Sequence, residues 1–508
     1  KNFNNQLNLG LVGDYFTKEK VINRLPGYAS LGHVRYSTTG KTLFKNIQPL
    51  FADLQGGGLA CSHNGNLTNG IELRKRLIRE GSIFQSTSDT EAFIHLISKS
   101  KEKTIVKKII DALYEIKGAY SFGLLTNKKL IGIRDPLGIR PLVLGSLGKA
   151  KIISSETCAL DIIGAKFVRE IKCGEIIAID KDGMKSYNPF PNSKERPCIF
   201  EYIYFARPDS VINGNSVYEY RKKMGMELAK ECKTNGDIII PVPDSGVPAA
   251  LGYSIQSKIP FDLGIIRNHY VGRTFIEPTQ KIRQLGIKLK HNPNKKLIKG
   301  KKVVLIDDSI VRGTTAIKIV EMVREAEASE VHMRVSSPPI KFPDYYGIDT
   351  PKKEELLASI PSIQPIRNDD LKRIASGWGW RYHPIYKVRK FHYGMDFSAE
   401  TGTEIFATGD GEVIKVRRSY TGYGRHIVIK HGFGYETLYA HMNKTLVKKG
   451  QKVKRGEVIG HVGNTGTSVA PHLHYEVFKN GKKVNPAHYY FNDLTPKEYE
   501  TLLRNSEA

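Results

Sequence analysis

Histidines are concentrated near the end of the 508-residue chain, at spacings that suit a metal site. Nine of the fifteen histidines lie after residue 380. His392 and Asp396 are four residues apart, which would bring them to one face of a strand or a helix turn. His472 and His474 would share one face of a strand. A catalytic zinc ion takes three nitrogen or oxygen ligands and keeps one position for water. Together with His441, these residues predict a zinc-dependent hydrolytic site, although a lone histidine is more often structural.

A second group with the chemistry of a site lies at residues 307–315, where two aspartates follow an apolar run. The run predicts a buried strand, and the carboxyl ends of strands are where open α/β sheets bind ligands. The loop that follows is rich in Ser, Gly and Thr and enters a helix, which favours a phosphate. Asp307 and Asp308 are expected to hold ribose hydroxyls and a magnesium ion. The alternative is a strand end with a polar turn.

The elements that would position these residues change character along the chain. The first part mixes short strands with helical stretches, which predicts a layered α+β domain. The middle part alternates apolar strands with amphipathic helices, which predicts a doubly wound parallel sheet. In the last part, short segments of alternating apolar and polar residues are separated by Gly-rich turns, which predicts a small antiparallel β domain. We expect domains at 1–200, 201–359 and 360–508, helical stretches near 70–80, 89–116 and 496–504, and strands at 237–242, 302–306 and 330–336.

The segment 301–315 resembles the phosphoribosyl pyrophosphate loop of type I phosphoribosyltransferases. Residues 201–210, 241–245 and 267–276 resemble segments of the amidophosphoribosyltransferase family, and the resemblance covers about residues 1–359. It implies the first step of purine synthesis, in which phosphoribosyl pyrophosphate and glutamine give 5-phosphoribosylamine. The implied phosphoribosyl pyrophosphate-binding residues are Asp307, Asp308, Ser309, Arg312, Gly313, Thr314, Thr315 and Arg273, and those for Mg²⁺ are Ser245, Asp307 and Asp308.

The first domain resembles the glutaminase half of the same family, an N-terminal-nucleophile hydrolase with an αββα sandwich. Arg35 would hold the glutamine carboxylate, and Asp89 would read its amino group. Asn64 and Gly65 would form the oxyanion hole, where donors meet developing negative charge. The segments that carry this resemblance are residues 32–38, 63–67 and 88–89.

This half departs from the family pattern in its cysteines. The family nucleophile is a Cys at the mature N-terminus, whereas this sequence begins at Lys1, and Cys61 is expected to be a core thiol at a strand end. We therefore expect no glutamine hydrolysis, although free ammonia could still be used weakly. Some members carry an iron–sulfur cluster on four Cys. Here Cys198 matches one position and Asp344 replaces a second, so that no iron–sulfur cluster is expected.

The last domain resembles the lysostaphin-type zinc endopeptidases, which cut peptide cross-links in bacterial cell walls. Residues 376–384 and 466–477 match the flanking patterns of that family, and the resemblance covers about 365–500. It implies that His392, Asp396 and His474 ligate Zn²⁺. His441 and His472 would orient or deprotonate the attacking water and stabilise the transition state.

The composition of the chain indicates which binding partners and which cellular compartment to expect. The net charge of +27 is spread over the chain, and its densest run, residues 290–302, holds six Lys without aromatics, so we expect no nucleic-acid partner. Apolar runs are only strand-sized, which predicts no membrane span. Five scattered Cys suit a reducing compartment. We expect a cytoplasmic transferase that can form a homo-oligomer through the transferase part. The peptidase domain is of a kind that is normally exported, whereas the sequence predicts no signal peptide.

Two hypotheses follow for the whole chain. In the first, a transferase truncated at both ends is joined near residue 359 to an intact peptidase that acts on peptidoglycan peptides. In the second, only the purine-synthesis transferase is meaningful, and the C-terminal domain is a passive or wall-binding module. The complete set of zinc-site residues argues against a wall-binding module with a vestigial metal site, and hydrolysis of a wall peptide would decide between a peptidase and a passive domain.

Overall fold

The computed structural model describes residues 3–35, 43–191, 194–268, 291–311, 313–340, 344–346, 361–367, 373–382, 387–431 and 434–490. These residues form two compact units. The first extends to Lys223 and includes 344–346, and the second begins at Met224. In the part of the chain that is described, none of the helices combines the length and apolar character that a membrane crossing requires.

The first unit is built on a six-stranded antiparallel sheet in the order β1-β2-β3-β4-β8-β9, with a second sheet in the order β6-β5-β7. Its strands are β1 Leu50–Leu54, β2 Gly57–Leu67, β3 Gly118–Thr126, β4 Leu130–Arg134, β5 Val143–Leu147, β6 Ala150–Ser154, β7 Lys166–Glu170, β8 Ile176–Asp180, β9 Gly183–Tyr187, β10 Val211–Ile212 and β11 Asn215–Ser216. Its helices are α1 Val12–Tyr15, α2 Glu19–Ile22, α3 Gly70–Arg79, α4 Asp89–Lys99, α5 Ile105–Glu115 and α6 Cys158–Ile162, with single turns at Phe44–Asn46 and Glu201–Phe205.

Helices α3, α4 and α5 cover one face of the larger sheet and share its core, which includes Phe93, Ile109 and Phe122. The helical stretch expected at 89–116 is two helices and not one. α4 ends at Ser100, whose backbone is extended, and α5 starts after Thr104, whose hydroxyl accepts a hydrogen bond from a backbone N–H of the first turn. Such capping favours a new helix start over a continuous helix.

Helix α7, Val217–Glu231, spans the end of the first unit and the start of the second. The second unit then contains a three-stranded parallel sheet in the order β12-β15-β16. Its elements are β12 Ile238–Pro241, α8 Val247–Ser257, β13 Ile265–Arg267, β14 His291–Pro293, α9 Lys295–Ile298, β15 Lys302–Asp307, α10 Thr314–Glu325 and β16 Glu330–Val335.

Both faces of this parallel sheet are buried. On one face Leu305 packs with Ile319 of α10. On the other face Val304 and Ile306 pack with Tyr253 of α8. Helices on both faces make the sheet doubly wound, as the sequence predicts.

The last part of the chain is almost entirely β, and every strand pairing in it is antiparallel. An eight-stranded sheet runs in the order β17-β20-β28-β24-β23-β22-β26, with β29 on β28, and smaller sheets are β21-β27-β25 and β18-β19. The strands are β17 Ile374–Ser376, β18 Gly379–Tyr382, β19 Arg389–His392, β20 Met395–Ser398, β21 Glu404–Phe406, β22 Gly411–Arg417, β23 His426–Lys430, β24 Tyr435–Ala440, β25 Lys444–Thr445, β26 Lys452–Val453, β27 Val458–His461, β28 His472–Lys479 and β29 Lys482–Val484, followed by a helical turn at Pro486–Tyr489. The helix expected at 496–504 lies outside the described residues.

The β domain contains a buried polar cluster centred on His431. Its Nδ1 lies 2.9 Å from the carbonyl oxygen of Asp410, which can only accept, so Nδ1 carries the proton. Nε2 then accepts from the Thr437 hydroxyl at 2.7 Å. Burial lowers the pKa of His431 to about 4. The folded domain therefore holds this histidine neutral.

We expect this histidine to make the β domain acid-sensitive. Because the folded pKa of about 4 lies below the ordinary value of 6.5, the stabilisation is complete above about pH 6.5 and is lost as the pH falls towards 4, by roughly 3 kcal/mol in all. Urea unfolding can be followed by tryptophan fluorescence, since both tryptophans of the chain, Trp378 and Trp380, lie in this domain. His431→Gln should lose less stability than the wild type between pH 7 and pH 5. The exposed His488→Gln is the control, and equal acid sensitivity of His431→Gln and the wild type would refute the assignment.

Candidate functional sites

Three side chains of the β domain converge on one point. His392 Nε2 lies 3.3 Å from Asp396 Oδ1 and 3.2 Å from His474 Nδ1, and the latter two atoms are 2.7 Å apart. The ligands of a tetrahedral zinc ion, at about 2.0–2.1 Å from the metal, stand about 3.4 Å from one another. Two of the three separations are therefore already close to that value. All three residues are buried. The chemistry and spacing of this donor set fit a zinc ion.

His392 and Asp396 reach this point from two different strands. His392 ends β19, which pairs with β18, whereas Asp396 lies in β20 opposite His474 of β28. The chain turns between them at Gly394, where a Cβ would lie 2.7 Å from both the His474 ring and the Tyr475 carbonyl oxygen. The expectation that the two residues share one face of a strand or a helix turn is wrong, because a turn separates them. The tight packing at Gly394 brings them together.

The second nitrogen of each ligand histidine is fixed by a hydrogen bond. His392 Nδ1 donates to the Gly377 carbonyl oxygen at 2.6 Å, and His474 Nε2 donates to Glu476 Oε1 at 3.0 Å. Both acceptors lack a proton to give, so these nitrogens carry the hydrogens. The opposite nitrogens then face the shared point. This is the arrangement that orients metal-binding histidines in proteins.

The electrostatics of the shared point favour a positive charge. Burial would raise the pKa of Asp396, but hydrogen bonds from His392 and His474 outweigh it and hold the pKa well below its usual range. Arg381 donates to Asp396 Oδ2 at 2.9 Å, which leaves Oδ1 for the shared point. Burial would lower the pKa of His474, but hydrogen bonds to Asp396 and Glu476 raise it to about 9. A proton, or a metal ion in its place, is stabilised here.

His441 and His472 border the same point. Nδ1 of His441 donates to the Thr465 carbonyl oxygen and Nδ1 of His472 to that of Ala470, each at 2.8 Å. Each ring therefore presents Nε2 on its other side, and His472 Nε2 lies 3.9 Å from Asp396 Oδ1. His441 has φ of 61°, a left-handed conformation that is uncommon outside glycine. Burial lowers the pKa of His441 to about 4, so its ring is neutral near pH 7 and can accept a proton.

These histidines open into a cleft of about 460 Å³. His472 and His474 both line it, as expected for alternate residues of one strand. The other side chains that line it include Arg381, Lys390, Phe391, Tyr393, Tyr423, Val469 and Lys483. The cleft thus combines a potential metal site with aromatic and cationic walls.

In the parallel-sheet domain, Asp307 and Asp308 follow each other at the carboxyl end of the central strand, β15. Both are buried. Asp307 Oδ1 accepts the Asp308 backbone N–H at 2.9 Å, and the Ser309 hydroxyl donates to the Asp308 carboxylate. Burial and the charge of Asp308 raise the pKa of Asp307 to about 8. Two buried carboxylates that repel each other are suited to hold a cation or ligand hydroxyls.

The loop after β12 lies beside this strand end. The Val242 backbone N–H donates to the Ile306 carbonyl oxygen at 2.8 Å. At Gly246 a Cβ would lie 2.4 Å from the same oxygen, so that only glycine allows this approach. Ser245 is therefore held at the same edge as the aspartates. Helix α8 begins after Gly246 and helix α10 after Gly313, whose φ is 72°. Helix N-termini attract anions, so this edge suits a phosphate with its counter-ion.

The other residues expected at this edge differ in what the structure describes of them. Arg273 and Arg312 lie outside the described residues, as does the side chain of Thr314. Thr315 is exposed in the first turn of α10. The roles assigned to these four residues, like those of Asp307, Asp308, Ser309, Gly313 and Ser245, stay predictions.

In the first unit, the residues expected to bind glutamine line one cavity of about 1050 Å³. Arg35, Asn64, Gly65 and Asp89 all contribute to its wall. Gly65 has φ of 144°, and a Cβ there would lie 2.0 Å from the Ala119 carbonyl oxygen. Only glycine fits this position of β2. The structure thus brings the four residues around one space.

Asp89 begins α4 and is held by backbone donors. Its Oδ2 accepts the Leu67 N–H at 2.8 Å and its Oδ1 accepts the Thr90 N–H at 2.9 Å. His63 Nδ1 lies 3.6 Å from Asp89 Oδ1 and 3.2 Å from the Thr90 hydroxyl. Burial would raise the pKa of Asp89, but the charge and hydrogen bond of His63 outweigh it and lower the pKa. An ionised carboxylate at this position suits the ammonium group of an amino acid.

Cys61 lies inside β2 and not at a strand end as expected. Its side chain is fully buried in the core of the first unit. Burial, with a smaller contribution from Asp89, raises the pKa of this thiol. Because the thiolate is the reactive form, Cys61 is a core residue and not a nucleophile.

Sequence reasoning missed residues that hold the expected ones in place. Glu476 could have been found, because it lies two residues beyond His474 and so on the same face of β28. His63 stands beside the expected oxyanion residues, but its contact with α4 depends on the fold. Nothing in the sequence indicates that the carbonyl oxygen of Gly377 accepts from His392 or that Arg381 pairs with Asp396.

Three family models match successive parts of the chain. The model of the glutamine amidotransferase domain matches residues 33–161, that of the phosphoribosyl transferase domain residues 217–340, and that of peptidase family M23 residues 390–486. These matches confirm both resemblances and the order in which the parts are joined.

Curated relatives and solved structures agree for the first part. The amidophosphoribosyltransferase of Rhizobium etli is 57% identical over 364 residues, which are 71% of this chain and 73% of that protein. The chloroplastic amidophosphoribosyltransferase of Glycine max is 51% identical over 361 residues, and the chain spans only 63% of its length. The solved structure of glutamine phosphoribosylpyrophosphate amidotransferase from Bacillus subtilis matches with a TM-score of 0.64 and 45% identity, over 69% of this chain and 76% of that one. The chain therefore belongs to the amidophosphoribosyltransferase family and carries, after that part, a domain of peptidase family M23.

Proposed function

We propose that the C-terminal domain is a zinc endopeptidase that cleaves cross-link peptides of peptidoglycan. The observation that carries this proposal is the convergence of ligand atoms from His392, Asp396 and His474 within 4.8 Å of one another. The M23 peptidases are a zinc-dependent family, and the donor set fits that ion. The wall peptide as substrate comes from the family resemblance.

Different side chains of the domain would have different roles in hydrolysis. A zinc ion would supply Lewis acidity that polarises a water molecule or a peptide carbonyl group. His441 Nε2, on a ring kept neutral by burial, accepts the proton of the attacking water. The proton taken up by His441 would pass to the leaving amine, and His472, fixed through Nδ1, would stabilise the developing negative charge through Nε2 when that nitrogen carries a proton. An extended peptide would lie in the cleft that these two rings line.

Hydrolysis of a defined substrate tests this proposal. The purified full chain is incubated with a synthetic wall cross-link peptide, and products are identified by mass spectrometry. We expect cleavage at one bond of the cross-link, and no cleavage of a linear peptide of equal length and unrelated sequence. Absence of cleavage by the zinc-loaded chain would contradict the proposal.

For the first part we propose amidophosphoribosyltransferase chemistry at the edge formed by β12 and β15. Asp307 and Asp308 would hold the ribose hydroxyls and, with Ser245, a magnesium ion. The N–H groups at the starts of α8 and α10 would bind the phosphates. Ser309, Gly313, Thr314 and Thr315 belong to the same loop and helix start, and Arg312 and Arg273 would add positive charge. Binding of phosphoribosyl pyrophosphate with Mg²⁺ is the test, developed in the Discussion.

Glutamine would occupy the cavity of the first unit, with Arg35 on its carboxylate and Asp89 on its ammonium group. Asn64 and Gly65 would provide the oxyanion hole. Cys61 does not supply the thiolate that hydrolysis of the amide requires, because it is buried in the core and its pKa is raised. We infer that glutamine binds in this cavity and that Cys61 takes no part in its hydrolysis.

Alkylation measures the reactivity of Cys61 directly. In the native chain, iodoacetamide should modify the exposed Cys232 readily and leave Cys61 unmodified, since a buried thiol with a raised pKa provides almost no thiolate. Peptide mass spectrometry after a time course gives both rates. Denaturation in urea should abolish the difference. Equal modification of Cys61 and Cys232 in the native chain would mean that Cys61 is reactive.

We propose the domain limits 1–200, 201–359 and 360–508 for these three functions. The transferase part would act in the cytoplasm, where its substrates are found, and a homo-oligomer would form through this part. Sedimentation of the full chain tests the oligomer, and a monomer at micromolar concentration would contradict it.

A further inference from the structure

We propose that Glu476 is a positioning residue of the peptidase metal site, which selects the tautomer of His474 and so the nitrogen that faces the metal. This inference rests on the proposed zinc peptidase function. Glu476 is not one of the ligand residues. Its effect would be transmitted entirely through the His474 ring.

Glu476 contacts His474 because both residues lie on one face of β28. His472, His474 and Glu476 alternate along one strand, so their side chains leave the same face. Glu476 is only 2% exposed, and its Oε1 lies 3.0 Å from His474 Nε2. A carboxylate oxygen accepts, so the hydrogen is on Nε2. Nδ1 is then the nitrogen that faces the shared point, 2.7 Å from Asp396 Oδ1, where a bound metal ion would replace its proton.

The Glu476 carboxylate is itself fixed by two further donors. Lys483 Nζ and the Tyr423 hydroxyl both donate to the same oxygen, Oε1, at 2.8 Å. Lys483 also donates to the Tyr423 hydroxyl at 3.0 Å and lies 5.2 Å from the centre of the Tyr393 ring. Within the described residues, Oε2 of Glu476 has no hydrogen-bond partner. All the hydrogen bonds of this carboxylate therefore meet on the oxygen that holds His474.

A buried ion pair between Glu476 and Lys483 could also be purely structural. The two roles differ in what they predict. Replacing a buried ion pair by apolar residues of similar size is often neutral or stabilising, so a structural pair can be replaced without loss. A residue that orients a metal ligand cannot be replaced without loss, because removing such a partner typically weakens metal binding by about 10–100-fold.

Zinc affinity, measured on the purified full chain by competition with a chromophoric chelator, separates these roles. Glu476→Gln keeps the shape but loses the charge of the acceptor, and we expect roughly tenfold weaker zinc binding, because charge-assisted hydrogen bonds are about twice as strong as neutral ones. The double variant Glu476→Met, Lys483→Met leaves no buried charge unpaired, so it should fold, and we expect about 10–100-fold weaker binding. The exposed Glu404→Gln is the charge-matched control and should bind as the wild type does.

The visible absorption of the cobalt(II)-loaded chain gives a second readout. We expect its bands to shift in both Glu476 variants and not in Glu404→Gln, since the ligand geometry changes. Zinc affinity within about twofold of the wild type for both Glu476→Gln and the double variant would overturn this inference alone. A wild-type chain that binds no zinc would overturn the proposed peptidase function as well.

Discussion

His474→Ala is expected to remove tight zinc binding and to reduce hydrolysis of the wall peptide by about a thousandfold or more. The variant deletes one of three ligand atoms and leaves Asp396 and Glu476 without the ring between them. A catalytic metal ion contributes several kcal/mol to the transition state, and about 1.4 kcal/mol corresponds to a factor of ten. The measurements are zinc content after dialysis and the rate of peptide cleavage.

His461→Ala is the matched control for this experiment. His461 lies in β27 of the same domain and is not among the residues that line the cleft. We expect it to keep both zinc and activity. Unchanged cleavage by His474→Ala would show that the metal assignment is wrong. Removal of zinc from the wild type by a chelator should likewise stop cleavage, and added zinc should restore it.

The second large effect is expected from the double variant Asp307→Asn, Asp308→Asn. It should weaken binding of phosphoribosyl pyrophosphate in the presence of Mg²⁺ by about a thousandfold, because each hydrogen bond to a charged group contributes about 1.5–3 kcal/mol. It should also abolish the dependence on Mg²⁺. Isothermal titration of the full chain with and without Mg²⁺ measures both effects.

This variant is not expected to unfold the domain. In the wild type two buried carboxylates repel each other, and replacement by neutral amides of the same shape removes that repulsion. Asp262→Asn, at an exposed position of the same unit, is the control. If the double variant binds phosphoribosyl pyrophosphate as tightly as the control does, the aspartates are not the binding groups.

The sequence predicted best where the pattern of residues determines the local structure. The run before Asp307 is strongly apolar, so both the strand and the place of the aspartate at its end followed directly. The alternation His472, Leu473, His474 likewise determined which side chains share a face of β28. These features depend on a few consecutive residues and not on distant contacts.

The sequence predicted poorly where position depends on residues far apart in the chain. The meeting of His392 with Asp396 follows from a turn at Gly394 that packs against β28. The orientation of His441 depends on a backbone carbonyl of Thr465, which any residue would provide. The break between α4 and α5 depends on a single capping residue, Thr104. None of these can be inferred from periodicity.

The two hypotheses for the whole chain make different predictions for the C-terminal domain. If the C-terminal domain were passive, its metal-ligating residues would not have to be complete or oriented towards a common point. Yet His392, Asp396 and His474 are buried and hydrogen-bonded in orientations that suit a metal. Burying ionisable groups is costly unless they are paired or bind a metal. The orientation of the three residues therefore favours a C-terminal domain that binds a metal ion.

Native mass spectrometry of the full chain tests the central claim most directly, because it counts both ligands on the same polypeptide. After equilibration with zinc, Mg²⁺ and phosphoribosyl pyrophosphate, we expect the 57.0 kDa chain to carry one zinc ion and one molecule of phosphoribosyl pyrophosphate. His474→Ala should lose only the zinc, and the Asp307, Asp308 double variant only the phosphoribosyl pyrophosphate. A wild-type chain that carries neither ligand, or variants that lose both together, would contradict the account of two independent sites on one chain.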